Sequence, residues 1–244
     1  MNFSLYGLAY RTPFLELFQP HLIFWLLYLN PMKLIATGWQ YKVYDLENNR
    51  VRKITFSGFA QYKKILHALP RRLSSFVLAY KKQKEIRKIE RSSNAYISSI
   101  LPRFDVTLLG SPTFLNSADY EQDKVTTVQE YLKTVTVEEG KRIIDQYIHN
   151  IYLFWRYGFS DRAFKVGNNN GVNSSGKVVQ IDFGELVTEK VKVEKLITNQ
   201  SWLKEHIGKR LPEGGIRDYH NEALTENLTL KKLDELWGSQ LKSL

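Results

Sequence analysis

The stretch "VVQIDFGEL", residues 178–186, decides the fold of this chain. Its apolar residues are typical of a short buried strand, and Asp182 follows them directly. A buried strand holds such a carboxylate rigidly, and Gly184 lets the chain turn away without a side chain that blocks the site. The pattern therefore predicts a polar site at the end of a strand.

The residues before this strand predict a hairpin. Residues 173–176 read Asn-Ser-Ser-Gly, a turn composition, between Gly171-Val172 and the strand that begins at Lys177. If residues 172 and 177 face each other, residue 169 faces residue 180. We therefore expect Asn169 to lie beside the strand end from which Asp182 emerges.

An amide oxygen and a carboxylate at one hairpin end favour a magnesium site. Mg²⁺ binds one or two carboxylates together with phosphate oxygens and water, and does not need a full protein cage. The predicted metal ligands are Asn169 and Asp182. A shift of the hairpin register by one residue would bring Asn168 or Asn170 to the same place.

The remaining segments favour an α+β chain with two lobes. The pattern predicts a hairpin around residues 47–49, helices over 61–99 interrupted at Pro70, and two further strands within 106–115 and 124–132. A long buried helix follows over 137–157, and a terminal helix is capped by Thr225 or Thr229. We divide the chain into an apolar N-terminal extension, a β-rich lobe and a mainly helical lobe, spanning 1–31, 32–133 and 134–244.

The amino-acid composition excludes several kinds of site and partner. The 244 residues contain no cysteine, which excludes disulfides and thiolate zinc sites and favours a reducing, cytoplasmic setting. The five histidines are scattered singly, so we expect no structural metal. The net charge is +10, of which residues 63–91 carry +8. One basic face of this kind fits a solvated helix surface, an anionic membrane surface or an anionic substrate, and argues against nucleic acid as a partner.

The N-terminal extension is strongly apolar. Its longest uninterrupted apolar run, residues 22–29, is eight residues long, whereas a membrane-spanning helix needs about 20. The segment also lacks the pattern of a cleaved signal peptide. It is expected to be a helix docked on the rest of the protein, or an in-plane anchor that places the protein peripherally at a membrane.

The motif Asp182-Phe183-Gly184, thirteen residues beyond Asn169, resembles that of the protein-kinase-like fold. The resemblance extends from about Ile35 to Leu186. It implies a two-lobed fold that binds ATP and Mg²⁺, with Asn169 and Asp182 as metal ligands.

The resemblance also implies a nucleotide site. Gly38 matches the middle glycine of the loop that covers the phosphates, although the flanking glycines are absent. Val43 matches the residue that packs on adenine, and Lys53 matches the lysine that contacts the phosphates. The backbone of Glu130, Tyr131 and Leu132 matches the hinge that binds adenine.

A helical glutamate that pairs with Lys53 belongs to the same pattern. Glu85 and Glu90 both lie in the predicted helix, and each lies about 70° from the apolar direction on a helical wheel. Geometry does not separate them. The interval to Pro102 favours Glu90.

The catalytic loop departs from the family pattern. Phe159 replaces the usual histidine, and Asp161 precedes Asn169 by eight positions, three more than is typical. The three additional residues either bulge outward, so that Asp161 orients the acceptor hydroxyl, or mean that Asp161 only caps a turn; we expect the former. Arg162 or Lys165 would neutralise charge on the transferred phosphoryl group.

The resemblance implies a Mg·ATP-dependent kinase that transfers the γ-phosphate to a hydroxyl group. No activation-loop segment follows Gly184, so the chain resembles bacterial small-molecule or lipopolysaccharide kinases more than protein kinases. The alternative is a catalytically weak pseudokinase that acts as a nucleotide-binding or basic-surface module. A basic nucleic-acid binder is a third possibility, but no recognition motif supports it.

Overall fold

The structure, a computed structural model, describes residues 32–38, 40–70, 72–184, 186–204 and 210–242. The expected N-terminal extension, residues 1–31, lies outside the described residues. The described residues from Leu34 onward form one compact unit. Within the described residues no helix is long and apolar enough to cross a membrane.

Strands and helices together confirm the α+β class. The strands are β1 Lys33–Thr37, β2 Tyr41–Asp45, β3 Arg50–Thr55, β4 Thr113–Phe114, β5 Tyr120–Asp123, β6 Thr126–Thr127, β7 Ser160–Asp161, β8 Asn170–Val172, β9 Val178–Gln180 and β10 Leu186–Val187. The helices are α1 Gly58–His67, α2 Leu73–Ile100, α3 Val128–Tyr131, α4 Val137–Arg156, α5 Val166–Asn169, α6 Lys190–Thr198, α7 Gly215–Asn227, α8 Leu230–Leu236 and α9 Ser239–Lys242. Three 3₁₀ turns add Leu101–Arg103, Val106–Leu109 and Ser201–Leu203.

Three sheets organise these strands. The largest has the order β1-β2-β3-β5-β4, and two smaller sheets have the orders β6-β8-β9 and β10-β7. The predicted hairpin around residues 47–49 is confirmed as the antiparallel pair β2–β3, and the predicted helices on either side of Pro70 are confirmed as α1 and α2.

The long helix α4 is the centre of the larger buried cluster. The Thr136 hydroxyl caps it by accepting a hydrogen bond from the Glu139 N–H at 3.3 Å. Ile143, Ile144 and Trp155 on one face are fully buried, and each such side chain contributes about 1.5–3 kcal/mol relative to exposure. The 3.6-residue apolar period of this segment therefore predicted the helix correctly.

A second buried cluster is rich in aromatic rings. Tyr120 stacks on Phe183 with ring centroids 5.1 Å apart, and Tyr41 meets Tyr120 edge-on at 5.5 Å. Phe159, which replaces the usual histidine, stacks on Phe154 at 4.9 Å and is fully buried. The Phe159 ring therefore packs within an aromatic core.

Two predicted strands are wrong in part. Residues 106–109 form a 3₁₀ turn capped by Asp105, whose carboxylate accepts from the Thr107 N–H at 3.0 Å, and only Thr113–Phe114 of that segment pairs in a sheet. In the segment 124–132, Thr126–Thr127 is the only part in a strand, and α3 begins at Val128.

Candidate functional site

The candidate site lies where β3, the loop after β7 and the end of β9 meet. Its four polar side chains are Lys53, Asp161, Asn169 and Asp182. Three of them are almost fully buried, with exposed fractions of 8% for Lys53, 3% for Asp161 and 5% for Asn169. Polar groups buried to this extent require partners, and their hydrogen bonds define the site.

Backbone hydrogen bonds fix the aspartate at the strand end. The Asn169 carbonyl accepts from the Ile181 N–H at 2.8 Å and from the Asp182 N–H at 3.3 Å. The Asp182 carboxylate accepts from the Gly184 N–H at 3.0 Å, and the Gln180 amide donates to the Asp182 carbonyl at 2.8 Å. Asn169 and Asp182 are therefore neighbours, as the hairpin pattern predicted.

The hairpin register differs from the prediction by one residue. Asn170 faces Gln180 and Val172 faces Val178, whereas the predicted register pairs Asn169 with Gln180. The cause is a three-residue loop in which Gly176 has a φ of 72°, and the Asn173 side chain accepts from the Lys177 N–H at 3.0 Å.

The three consecutive asparagines nevertheless differ in environment. The Asn170 side chain is fully buried and donates to the Lys165 carbonyl at 3.4 Å, whereas Asn168 is exposed. Asn169, in the last turn of α5, is the one joined to Asp182 by the backbone.

The loop that joins Asp161 to Asn169 keeps the two side chains together. The Asn169 amide N–H donates to Asp161 Oδ1 at 3.2 Å, although eight positions separate the two residues. Asp161 also accepts from the Lys165 N–H at 2.8 Å and from the Ala163 N–H at 3.4 Å. The additional residues fold around the Asp161 carboxylate and end in the short helix α5.

Lys53 reaches the same place from β3. Its ammonium group donates to the Ile181 carbonyl and lies 5.4 Å from the centroid of the Tyr120 ring. Burial lowers the pKa of Lys53 from 10.5 to about 8, and the negative charge of Asp182 acts in the opposite direction. Lys53 and Asp182 therefore influence each other electrostatically without a direct ion pair.

The structure separates the two glutamates that helical geometry left open. Glu90 has an exposed fraction of 3%, whereas Glu85 is exposed. Burial raises the pKa of Glu90 from 4.5 to about 7, while the Tyr41 hydroxyl and the charge of Arg87 counteract it. Among the described residues, no ion pair within 4.0 Å joins Glu90 to Lys53.

The predicted phosphate loop is the turn between β1 and β2. Gly38 donates its N–H to the Tyr41 carbonyl at 2.8 Å, and Val43 pairs in register with Lys53. The Gln40 side chain donates to the Gly184 carbonyl at 3.2 Å. A Cβ atom at Gly184 would overlap the Gln40 amide, so this contact requires glycine.

The predicted hinge at residues 130–132 needs correction. Glu130, Tyr131 and Leu132 do not form an extended edge, because α3 covers Val128–Tyr131 and the Leu132 N–H bonds to the Val128 carbonyl at 2.9 Å. Thr127 caps this helix by accepting from the Glu130 N–H at 3.3 Å, and its hydroxyl donates to the Glu130 carboxylate at 3.0 Å. The sequence Thr-x-x-Glu is a capping box, a signal that would have predicted the helix.

The residues present fit a magnesium ion bound together with phosphate. The Asn169 amide nitrogen donates to Asp161. Among the described residues no group donates to the Asn169 amide oxygen. One Asp182 oxygen accepts from Gly184, which leaves the second oxygen for a cation. The described chain holds no cluster of three or more His, Asp or Glu side chains suited to a metal, so ligand oxygens and water would complete the coordination.

Buried amide side chains behind the site were missed by the sequence analysis. Gln122 is fully buried and donates to the carbonyls of Leu109 at 2.7 Å and Gln180 at 3.2 Å. Asn150 of α4 donates to the Val178 carbonyl at 2.8 Å. These bonds hold the β8–β9 hairpin from behind. Glutamine and asparagine within strands and helices follow no motif, so no pattern in the sequence reveals them.

Comparison with known proteins gives structural likeness without a match in sequence. No family model matches the chain, and no curated protein matches it by sequence. Among solved structures, the chain is similar to Rv3197 of Mycobacterium tuberculosis in its complex with erythromycin, with a TM-score of 0.43 and 13% identity. The match covers 68% of this chain and 50% of that chain, so this chain spans about half the length of that protein.

Proposed function

We propose that this chain is a Mg·ATP-dependent phosphotransferase with a two-lobed protein-kinase-like fold, which transfers the γ-phosphate of ATP to a hydroxyl group. The observation that carries the proposal is the hydrogen-bonded arrangement of Asp161, Asn169 and Asp182 next to a buried lysine on β3. In kinases the phosphate-binding lysine occupies strand β3, and an aspartate and an asparagine hold the metal ions.

Each residue then has a role that its chemistry permits. Lys53 supplies positive charge to the phosphates, and the oxygens of Asn169 and Asp182 are the ligands for Mg²⁺. Bound Mg²⁺ would neutralise the charge that develops on the phosphate oxygens. Asp161 would accept the proton of the acceptor hydroxyl as that oxygen attacks the γ-phosphorus, and ADP would leave. Arg162 or Lys165 would stabilise the transferred group.

The pseudokinase alternative rests on the surroundings of Lys53 and Glu90. Lys53 donates to the Ile181 carbonyl, and Glu90 lies buried without an ion pair to it within the described part of the chain. Active protein kinases require that ion pair. A protein that binds ATP without transferring phosphate would keep this arrangement.

The test measures thermal stability and phosphate transfer with the same proteins. ATP and Mg²⁺ at about 100 times the dissociation constant should raise the melting temperature of the wild type by about 5–10 °C. Asp182→Ala should abolish this shift, whereas Asp218→Ala, at an exposed aspartate of α7, should preserve it.

Release of labelled phosphate from γ-labelled ATP distinguishes the two candidates. An enzyme should release or transfer label with the wild type and lose the activity in Asp182→Ala. A pseudokinase should show the ATP-dependent shift without release. If ATP and Mg²⁺ fail to stabilise the wild type, both functions are wrong.

A further inference from the structure

A large basic cleft lies beside the residues that follow Asp161. Its volume is about 840 Å³, within the range of pockets that hold small organic ligands. It is formed by α2, the loop after β7, β10 and α6. Its basic lining side chains are Lys88, Arg162, Lys165, Lys192, Lys195 and Lys204. We call this feature the basic cleft.

The charge of the basic cleft is strongly one-sided. Among the residues that the structure describes, six basic side chains line it against two acidic ones, Glu85 and Glu189, a difference of +4. Glu189 is already paired with Lys192 at 2.5 Å. Among the described residues, no carboxylate lies within 4.0 Å of the charged groups of Lys88, Arg162 or Lys195. Like charges gathered in one concave surface repel each other and favour an anionic ligand.

The basic cleft also has an apolar part. Ile89, Leu186, Val187 and Leu196 contribute to its lining between the charged groups. A ligand that carries anionic groups on a carbon skeleton would therefore find partners for both of its parts. Phosphate groups suit this lining because arginine and lysine both bind phosphate through charge-assisted hydrogen bonds.

The basic cleft shares a wall with the candidate catalytic residue. Arg162 and Ala163 line the cleft and follow Asp161 directly, and the Ala163 N–H bonds to the Asp161 carboxylate at 3.4 Å. Leu186, another lining residue, pairs with Asp161 across the β7–β10 sheet. Lys53, Asn169, Asp182 and the buried Asp161 itself are not among its lining residues. The basic cleft is therefore distinct from the candidate nucleotide site but adjacent to the proposed general base.

We propose that the basic cleft binds the acceptor and that this acceptor is an alcohol carrying one or more phosphate groups. The inference rests on the proposed function for the transfer step, but the binding of a phosphorylated alcohol can be measured without turnover. In this arrangement the anionic groups contact Lys88, Lys195 and Arg162. A hydroxyl of the same molecule then lies beside Arg162 and Ala163, which follow Asp161 directly, while its phosphate groups remain unchanged by the transfer.

The binding experiment uses titration calorimetry without nucleotide. The probes are glucose 1,6-bisphosphate, glucose as the uncharged control, and vesicles of equal parts phosphatidylglycerol and phosphatidylcholine. The variants are Lys88→Glu and Lys195→Glu, both at exposed positions. The matched control is Lys231→Glu, at an exposed lysine of α8 outside the basic cleft. Circular dichroism and melting curves verify that every variant folds.

Charge reversal should weaken binding of the bisphosphate by about fivefold or more in each cleft variant, and by less than about twofold in the control. Binding of the sugar bisphosphate alone supports a soluble acceptor. Vesicle binding that both cleft variants lose supports a phosphorylated lipid headgroup. Equal affinities in all four proteins, tighter binding of glucose, or binding of no charged probe would overturn the proposal.

The two proposals fail in different ways. If ATP and Mg²⁺ stabilise both cleft variants as they do the wild type, the nucleotide site is intact. A loss of bisphosphate binding in these variants then reports on the basic cleft alone. If ATP does not stabilise the wild type while the bisphosphate binds, the proposed transferase function is wrong and a phosphate-binding cleft remains. If the wild type phosphorylates an uncharged alcohol with a KM that the cleft variants do not change, only the cleft proposal is wrong.

Discussion

Replacement of Glu90 by glutamine should stabilise the protein and impair its function at the same time. The Glu90 carboxyl is almost completely buried, and one of its oxygens has no hydrogen-bond partner among the described residues. Burial raises its pKa from 4.5 to about 7. A neutral amide of the same shape would avoid the cost of burying a charge.

The magnitude follows from the pKa. A carboxyl whose pKa rises from 4.5 to about 7 on folding destabilises the folded state by about 3 kcal/mol once both states are ionised. Below pH 4.5 the carboxyl is protonated in both states, so the wild type has its full unfolding free energy. That free energy falls as the pH rises through 7, where the folded carboxyl ionises. Glu90→Gln should therefore exceed the wild type by about 2–3 kcal/mol at pH 8, and the difference should shrink toward pH 4.5.

Urea unfolding between pH 4.5 and 8 measures this difference. Glu85→Gln, on the exposed side of the same helix, is the matched control and should change the unfolding free energy by less than about 0.5 kcal/mol. A difference between Glu90→Gln and the wild type that does not vary with pH would refute the reasoning.

Phosphate transfer gives the second readout of the same variant. If Glu90 pairs with Lys53 when nucleotide binds, transfer should fall by about tenfold or more in Glu90→Gln, despite the greater stability. A stabilised variant with unchanged transfer would assign Glu90 a structural role only.

Three further predictions concern other buried groups. Asp161→Asn should retain the ATP-dependent rise in melting temperature and lose about a hundredfold or more in transfer rate; loss of both would contradict its assignment as the base. Gly184→Ala should destabilise the protein by about 1 kcal/mol because its methyl group displaces the Gln40 amide and breaks the hydrogen bond of that amide to the Gly184 carbonyl, and the same substitution in a Gln40→Ala background should cost less in urea unfolding. His220 is fully buried, which lowers its pKa from 6.5 to about 4. Stability from this neutral imidazole is present above pH 6.5 and is lost as the pH falls toward 4, so the unfolding free energy of His220→Leu should fall less over that interval than that of the wild type.

Much of the local structure could be predicted from the sequence because it depends on short-range patterns. Apolar residues at helical spacing predicted α4, and β-forming residues on both sides of a polar turn predicted the β2–β3 hairpin. Thr229 caps the helix that follows it, accepting from the Lys232 N–H at 3.1 Å, as one of two predicted caps. The strand before Asp182 was also predicted, although it is shorter than expected.

Two local predictions were wrong because a second short-range signal in the same segment is stronger. β-branched residues in the segment 124–132 favour a strand, but the capping box of Thr127 and Glu130 stabilises a helix turn instead. The hairpin register shifted because Gly176 adopts a left-handed conformation and makes a three-residue loop. Both signals were present in the sequence.

The sequence by itself determined the order of the elements and the residue types near the candidate site, since these follow from periodicity, turn residues and motif spacing. Only the tertiary structure decided which polar groups became buried partners. Eight positions of chain separate Asp161 from Asn169, and only the folded loop joins them. Glu85 and Glu90 are equivalent on a helical wheel, and only tertiary packing makes Glu90 the buried one. The basic cleft likewise gathers charges from α2, the loop after β7 and α6, because long-range packing brings together groups whose distance no local pattern encodes.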